Sequence, residues 1–209
     1  MPREQDLRLL HLVNPLGLNI SILPNGTVFA IEHRTNAGAI LINQVLGSPI
    51  GGGIARMLLR SHAKGSAPRE IVGPRARVRL GAAADRIVWE GRSRGVRHRV
   101  TLRLRPDATA WLWCVEATNT TVRPTSIDAI FLQDLGLGTR AFVTGNEAYA
   151  SQYIDHHVAK DAHFGPVVMS RQNLAQDGAH PWVAHGCLDG ADAFATDAMM
   201  VPSRIQERA

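Results

Sequence analysis

The sequence has few of the residues that crosslink secreted proteins or bind structural zinc. It contains 2 cysteines in 209 residues, Cys114 and Cys187, and they form neither a CxxC pair nor any other zinc-ligand spacing. No apolar run approaches the roughly 18 residues of a membrane-spanning helix. No stretch of signal-peptide type follows the charged N-terminus. We therefore expect a cytoplasmic protein that does not associate with a membrane.

Lysine is also scarce, so arginine carries the positive charge. Lys64 and Lys160 are the only lysines against 21 arginines, and the formal net charge is +5. The segment 69–105 holds 11 arginines and 3 acidic residues, a local net charge of +8, which could attract nucleic acid. In Val96–Arg105, however, arginines alternate with aliphatic residues and no aromatic residues are interleaved. This pattern favours a solvated sheet face, and nucleic-acid binding through 69–105 is a distant alternative.

Turn residues recur about every ten positions in the first half, and this rhythm is typical of all-β folds. Thr109–Asn119 is largely apolar on both faces, which predicts a central strand of a sandwich. The sequence predicts a linker or long loop over Ser61–Pro74. It predicts a long loop over Asn146–Asp161. We expect a large antiparallel β-sandwich without a long helix. Its predicted strands are Leu16–Leu23, Thr27–His33, Ala39–Gln44, Ile54–Arg60, Arg86–Glu90, Val96–Arg105, Thr109–Asn119, Thr125–Leu137, Pro166–Gln172 and Trp182–Leu188.

The common catalytic and metal-binding patterns are weak in this sequence. His156 and His157, near Asp155 and His163, form the densest group of possible metal ligands. Adjacent strand residues point to opposite faces, so structural or substrate hydrogen bonding is favoured over a metal. The serines lack a Gly-x-Ser-x-Gly elbow, and Gly51–Gly53 lacks the Lys-Ser/Thr of a phosphate loop. We therefore assign no catalytic residue, metal or cofactor.

Sugar chemistry offers a further set of candidates. Six carboxylates are available, but no spacing pairs two of them as a general acid and its partner. Trp182, in the loop AHPW, is the best aromatic platform for a sugar ring, whereas Trp111 and Trp113 share one strand face and are expected in the core. The six carboxylates are Asp128, Asp134, Glu147, Asp155, Asp161 and Asp177.

Two motifs then give a resemblance to a known family. They are Asn146–His157, which reads NEAYASQYIDHH, and Ser170–Asn173, which reads SRQN. Together with Leu41–Gly53 and the segment Phe194–Asp197, they resemble the N-terminal β-sandwich of glycoside hydrolase family 94-type phosphorylases. The resemblance is closest to the 1,2-β-oligoglucan phosphorylases, and more distant to cellobiose phosphorylase and cyclic β-1,2-glucan synthase.

The resemblance implies both a fold and a division of labour. Such enzymes cleave β-glucosidic bonds with inorganic phosphate as co-substrate, and their acidic catalyst lies in an (α/α)6 barrel that follows a galactose-mutarotase-like supersandwich. We expect residues 1–198 to be the sandwich, residues 199–209 to be a polar tail outside the family pattern, and the barrel to be absent. The chain by itself is then expected to have weak or no phosphorylase activity.

The resemblance also implies a sugar-facing site, a β-linked gluco-oligosaccharide as ligand, and a catalytic barrel or a homodimer partner. The same side chains could instead hydrogen-bond the loops internally. A second function, a mutarotase-like sugar enzyme, would need a histidine and a carboxylate, drawn from His156, His163 and Glu147, to converge on one sugar. The implied site residues, with Trp182 added from its loop, are Tyr153, Asp155, His156, Arg171, Gln172, Asn173 and Trp182.

Overall fold

The fold is all-β, as the turn spacing predicts, in a computed structural model of the chain. The structure describes residues 9–36, 38–48, 54–63, 65–147 and 149–197. The predicted glycine turn Gly51–Gly53 and the tail 199–209 lie outside these ranges. Within them, no helix has both the length and the apolar character needed to cross a bilayer.

Fifteen strands, one short helix and a 3₁₀ turn make up the described elements. All strand pairs are antiparallel. The helix is α1 (Arg140–Gly145), and the 3₁₀ turn covers Ala150–Tyr153. The strands are β1 (Leu10–Val13), β2 (Leu18–Ile22), β3 (Val28–Thr35), β4 (Gly38–Leu41), β5 (Ala55–Ser61), β6 (Arg69–Val72), β7 (Arg79–Ala83), β8 (Arg86–Ser93), β9 (Val96–Leu104), β10 (Trp111–Asn119), β11 (Ile127–Gln133), β12 (Gly138–Thr139), β13 (Ile154–Asp161), β14 (Gly165–Gln172) and β15 (Trp182–His185).

The strands form four sheets, which we call A to D. Sheet A has the order β1-β2-β3-β4-β12, and sheet B has the order β11-β5-β6. Sheet C has the order β10-β9-β8-β7, and sheet D has the order β13-β14-β15. One core cluster draws buried side chains from all four sheets, so sheet D is anchored to the sandwich.

The core reflects the β-branched and aliphatic composition of the strands. Ile20 and Ile31 of sheet A are fully buried, and Trp89 of sheet C is 1% exposed. The Trp89 indole nitrogen donates to the Gly26 carbonyl at 2.9 Å, which satisfies the one polar group of this buried ring. Its ring packs against Trp113 with centroids 5.5 Å apart.

The alternation predicted for Val96–Arg105 is confirmed. In β9, Val100 and Leu102 are buried, whereas Arg99 and Arg103 are exposed. The position predicted for the next strand is wrong, because β10 is an edge strand of sheet C and not a central one. Its apolar character on both faces is misleading: one face packs Trp111 and Trp113 partly against the core, and the other is open to solvent.

Two predicted loops contain strands. The stretch 61–74, expected as a linker, holds β6, in which Ile71 and Val72 are each 1% exposed. The stretch 146–161, expected as a long loop, holds β13. β13 is poor in apolar residues and is a strand because it pairs along its whole length with β14. Cross-strand pairing outweighed local propensity there.

Candidate functional site

Most of the candidate sugar-facing residues lie on sheet D. The register pairs Ile154 with Gln172 at one end of β13 and β14, and Asp161 with Gly165 at the other. Since side chains alternate between faces, this register sorts the candidates into two groups. Even-numbered residues of β13 and β14 lie on one face, which we call the inner face because Ile154, Ser170 and Gln172 are buried there, and odd-numbered residues lie on the outward face.

The outward face carries a continuous row of three candidates. Asp155 pairs with Arg171 across β13 and β14, and Arg171 pairs with Trp182 across β14 and β15. All three are exposed, and the Trp182 side chain is 67% exposed. Within the described part of the chain, neither the Asp155 carboxylate nor the Arg171 guanidinium has a hydrogen-bond or ion-pair partner. We call Asp155, Arg171 and Trp182 the outer row.

Tyr153 and Asn173 lie beside one end of the outer row. Tyr153 ends the 3₁₀ turn that leads into β13, and it is 45% exposed. Its carbonyl accepts a hydrogen bond from the Asn173 backbone N–H at 2.8 Å, which ties the two segments together. Both side chains are therefore available near Asp155 and Arg171.

Gln172 is a correction to the predicted surface site, because it is fully buried. Its side-chain nitrogen donates to the carbonyls of Gly136 at 2.9 Å and Ala150 at 3.1 Å. Its side-chain oxygen accepts from the Leu174 backbone N–H at 3.1 Å. The internal hydrogen-bonding role left open by the sequence is the one that Gln172 has, so a ligand cannot reach it without disrupting these bonds.

His156 does not belong to the outer row: it is exposed, but it lies on the opposite face of sheet D, beside Ser170. Its Nδ1 is 2.9 Å from the Ser170 hydroxyl, and Ser170 is 1% exposed. Burial lowers the pKa of His156, and the neighbouring Asp155 opposes that shift. This hydrogen bond joins β13 to β14 across the inner face.

His185 has a strongly perturbed environment, and the sequence analysis did not identify it as a candidate. It stands on the same inner face, with its ring edge-on to Trp111 at 6.0 Å between centroids. Burial, and to a smaller extent the nearby His156, lower the pKa of His185 to about 4. Its Nε2 is buried without a hydrogen-bond partner in the described structure. No local motif marks it, because its burial depends on the pairing of β15 with β14.

Asp134 is the carboxylate with the most perturbed environment. Burial raises the pKa of Asp134 to about 7, against the smaller effect of hydrogen bonds from backbone N–H groups. One carboxylate oxygen, Oδ2, accepts from the Val45 N–H at 3.1 Å, and the other has no hydrogen-bond partner among the described residues. It directly follows β11 of sheet B, whereas the outer row lies on sheet D, so we expect its ionisation to affect stability.

The groups that mutarotase-like chemistry would use do not converge. Glu147 lies before the 3₁₀ turn that leads into β13, and His163 follows the other end of this strand. His156 lies between them on the inner face, bonded to Ser170. Among the described residues, no three histidine, cysteine or carboxylate side chains are grouped as metal ligands.

Comparisons with known proteins agree with the family resemblance. A family model described as SOGP N-terminal domain matches residues 21–206. This range includes part of the segment 199–209, which was expected to lie outside the family. A curated relative, the 1,2-beta-oligoglucan phosphorylase of Listeria innocua serovar 6a (strain ATCC BAA-680 / CLIP 11262), is 29% identical over 192 residues. The alignment covers 91% of this chain and 16% of that protein, so the chain spans about a sixth of the relative's length.

Proposed function

The chain belongs to the SOGP N-terminal domain family, and from that membership we propose that it is the non-catalytic, carbohydrate-facing module of a β-glucan phosphorylase. The relative is a phosphorylase of 1,2-β-oligoglucans, and this chain aligns with only 16% of it. In this proposal the cleavage of the glucan by inorganic phosphate belongs to a catalytic barrel, and the sandwich contributes sugar contacts beside it.

The outer row is the observation that supports sugar recognition. A guanidinium and a carboxylate side by side can donate to and accept from neighbouring hydroxyl groups of a glucose unit. An exposed indole at the end of the same row can cover the apolar face of the ring. Arg171 lies between the two by the strand register, so it is the central residue of the proposed subsite.

The lack of internal partners gives this proposal its energetic basis. A side chain already paired within the protein must lose that pair before it can bind a ligand. Asp155 and Arg171 would lose only water, so new hydrogen bonds to a sugar carry little internal cost. Gln172, by contrast, has three internal hydrogen bonds and is excluded from the contact set.

Calorimetric titration of the full chain with β-1,2-linked gluco-oligosaccharides tests the proposal, with cellobiose as the comparison for linkage. We expect saturable binding that Arg171→Ala weakens by tenfold or more, while Arg103→Ala leaves it unchanged. Arg103 is a matched control because it is also an exposed strand arginine, but it lies on sheet C. No heat at millimolar sugar, or equal weakening by both variants, would contradict sugar recognition by the outer row.

A further inference from the structure

A pocket lies where the ends of sheets B and C meet, on elements other than the outer row. Its volume is about 400 Å³, and it continues into a smaller cavity of about 30 Å³. The two share Ser61 at the end of β5, Ser66 in the next loop, Arg94 at the β8–β9 turn and Thr125 before β11. The larger pocket is lined by Ser61, His62, Ala63, Ser66, Arg94, Pro124, Thr125 and Ser126.

Arg94 has an unusual backbone for an arginine. Its φ is +47° and that of Gly95 is +81°, so both central residues of the β8–β9 turn are left-handed. Such turns favour Asn-Gly, and the left-handed conformation is less favourable for an arginine than for an asparagine. Backbone strain of this kind is retained where the side chain has a task.

The guanidinium of Arg94 is fixed in place by a buried partner. Its Nη1 donates to the Ser66 hydroxyl at 2.7 Å, and Ser66 is only 4% exposed. In the described part of the chain no carboxylate pairs with Arg94. The remaining N–H groups of this fork therefore stay free at the pocket.

His62 adds an imidazole to the pocket lining, and its ring is oriented by Asp128, which lies outside the lining. Its Nε2 lies 2.8 Å from an Asp128 oxygen, and Arg60 binds the other oxygen of the same carboxylate. Burial alone would raise the pKa of Asp128, but hydrogen bonds from His62 and Arg60 together hold it below the usual value. The carboxylate thus stays charged beside the His62 ring and outside the pocket lining.

The lining selects one class of ligand. Among the described residues it offers a guanidinium, an imidazole and several hydroxyls, but no carboxylate for a metal ion and no aromatic ring for a sugar face. Guanidinium, imidazole and hydroxyl groups converge on tetrahedral oxyanions in proteins. We propose that this pocket binds a phosphate group through Arg94, His62 and the surrounding hydroxyls, either as inorganic phosphate or as the phosphate of a phosphorylated sugar.

Titration of the full chain with inorganic phosphate at constant ionic strength tests the proposal, followed by glucose 6-phosphate and by unphosphorylated glucose. Arg94→Gln is expected to weaken phosphate binding by tenfold or more, because it removes the charged donor. Arg97→Gln removes the same charge three residues away on the outward face of β9, and it should leave binding unchanged. Arg94→Asn suits the left-handed turn, so it should lose binding while the midpoint of thermal unfolding stays the same or rises.

Comparing glucose 6-phosphate with inorganic phosphate identifies the source of the phosphate group, and unphosphorylated glucose is the control for contacts to the sugar alone. Tighter binding of glucose 6-phosphate than of inorganic phosphate, with Arg94→Gln weakening both, identifies a phosphorylated sugar as the ligand. The reverse order identifies inorganic phosphate. The proposal is overturned if neither phosphate binds at millimolar concentration, or if Arg94→Gln and Arg97→Gln weaken binding equally. Arg171→Ala should not affect phosphate, so this site and the outer row can fail separately.

Discussion

Sheets A to C and sheet D are all built from antiparallel strand pairs, but they differ in how many buried apolar side chains they contribute to the core. In sheets A to C, most buried side chains are aliphatic or aromatic, and nearly every strand adds to the core cluster. In sheet D, only Ile154 and Val183 join that cluster as buried residues. Polar side chains also lie on its inner face, where His156 is hydrogen-bonded to Ser170 and Gln172 to backbone carbonyls. The comparison teaches that sheet D is anchored to the core by few side chains, while Asp155, Arg171 and Trp182 on its outward face stay exposed.

The largest expected effect comes from removing the indole at the centre of sheets A to C. Trp89→Ala should lower the free energy of unfolding by about 3–5 kcal/mol, since it empties a fully packed site and leaves the Gly26 carbonyl unpaired. Urea denaturation followed by circular dichroism measures this loss. A loss below about 1 kcal/mol would show that the core is not centred on Trp89.

The next largest effect is on the pH dependence of stability, to which Asp134 and His185 contribute with opposite signs. The folded pKa of Asp134 is raised to about 7, so its charging destabilises the fold progressively as pH rises from about 4 to 7. The folded pKa of His185 is lowered to about 4, so its protonation destabilises the fold as pH falls from about 6.5 to 4. Between pH 4 and 6.5 the two slopes oppose each other in the wild type.

Single variants should reveal each slope. Asp134→Asn should gain up to about 4 kcal/mol relative to wild type at pH 8, and its stability should rise between pH 4 and 6.5. His185→Gln should show the opposite slope, with stability falling as pH rises through that range. Urea midpoints measured at half-unit pH steps test this, and two parallel profiles would contradict the assignment.

Gln172 and Arg171 are chain neighbours with opposite expected behaviour. Gln172→Ala should lower the free energy of unfolding by about 1–3 kcal/mol, because it leaves the Gly136 and Ala150 carbonyls without their donor. Chemical denaturation gives this value. A neutral result for Gln172→Ala would mean that its hydrogen bonds are replaced by water.

The smallest effect on stability is expected on the outer row. Arg171→Ala should change the free energy of unfolding by less than about 0.5 kcal/mol, since Arg171 is exposed and unpaired in the described structure. The same denaturation series measures it beside Gln172→Ala. A loss as large as that of Gln172→Ala would remove the distinction between the structural and the recognition face of sheet D.

The sequence predicts strands where alternation is strong and fails where pairing decides. Val100 and Leu102 alternate with arginines, so β9 and its buried face were predictable. β13 reads IDHHVAKD, and its strand state follows from pairing with β14, which local composition does not encode. β10 was placed at the centre of a sandwich because its two apolar faces carry no information about how many neighbours a strand has.

The candidate site divides in the same way. The motif residues Asp155, Arg171 and Gln172 were identifiable as a group. The sequence alone did not show that Asp155 and Arg171 are exposed whereas Gln172 is buried. That sorting depends on the β13–β14 register, in which a shift of one residue would exchange the two faces. Asp134 and His185 carry no motif, and their environments come from contacts distant in sequence.

Indole N–H signals in the NMR spectrum of the full chain test the central claim most directly. Of the four tryptophans, Trp182 is the one exposed on sheet D, whereas Trp89 is buried and Trp111 and Trp113 are partly buried. Trp182→Phe assigns its signal by removing it. We predict that a β-1,2-linked gluco-oligosaccharide shifts the Trp182 signal, leaves the other three in place, and does so no longer in Arg171→Ala. An unmoved Trp182 signal at saturating sugar, or shifts at the other indoles alone, would contradict the outer row as a sugar-recognition surface.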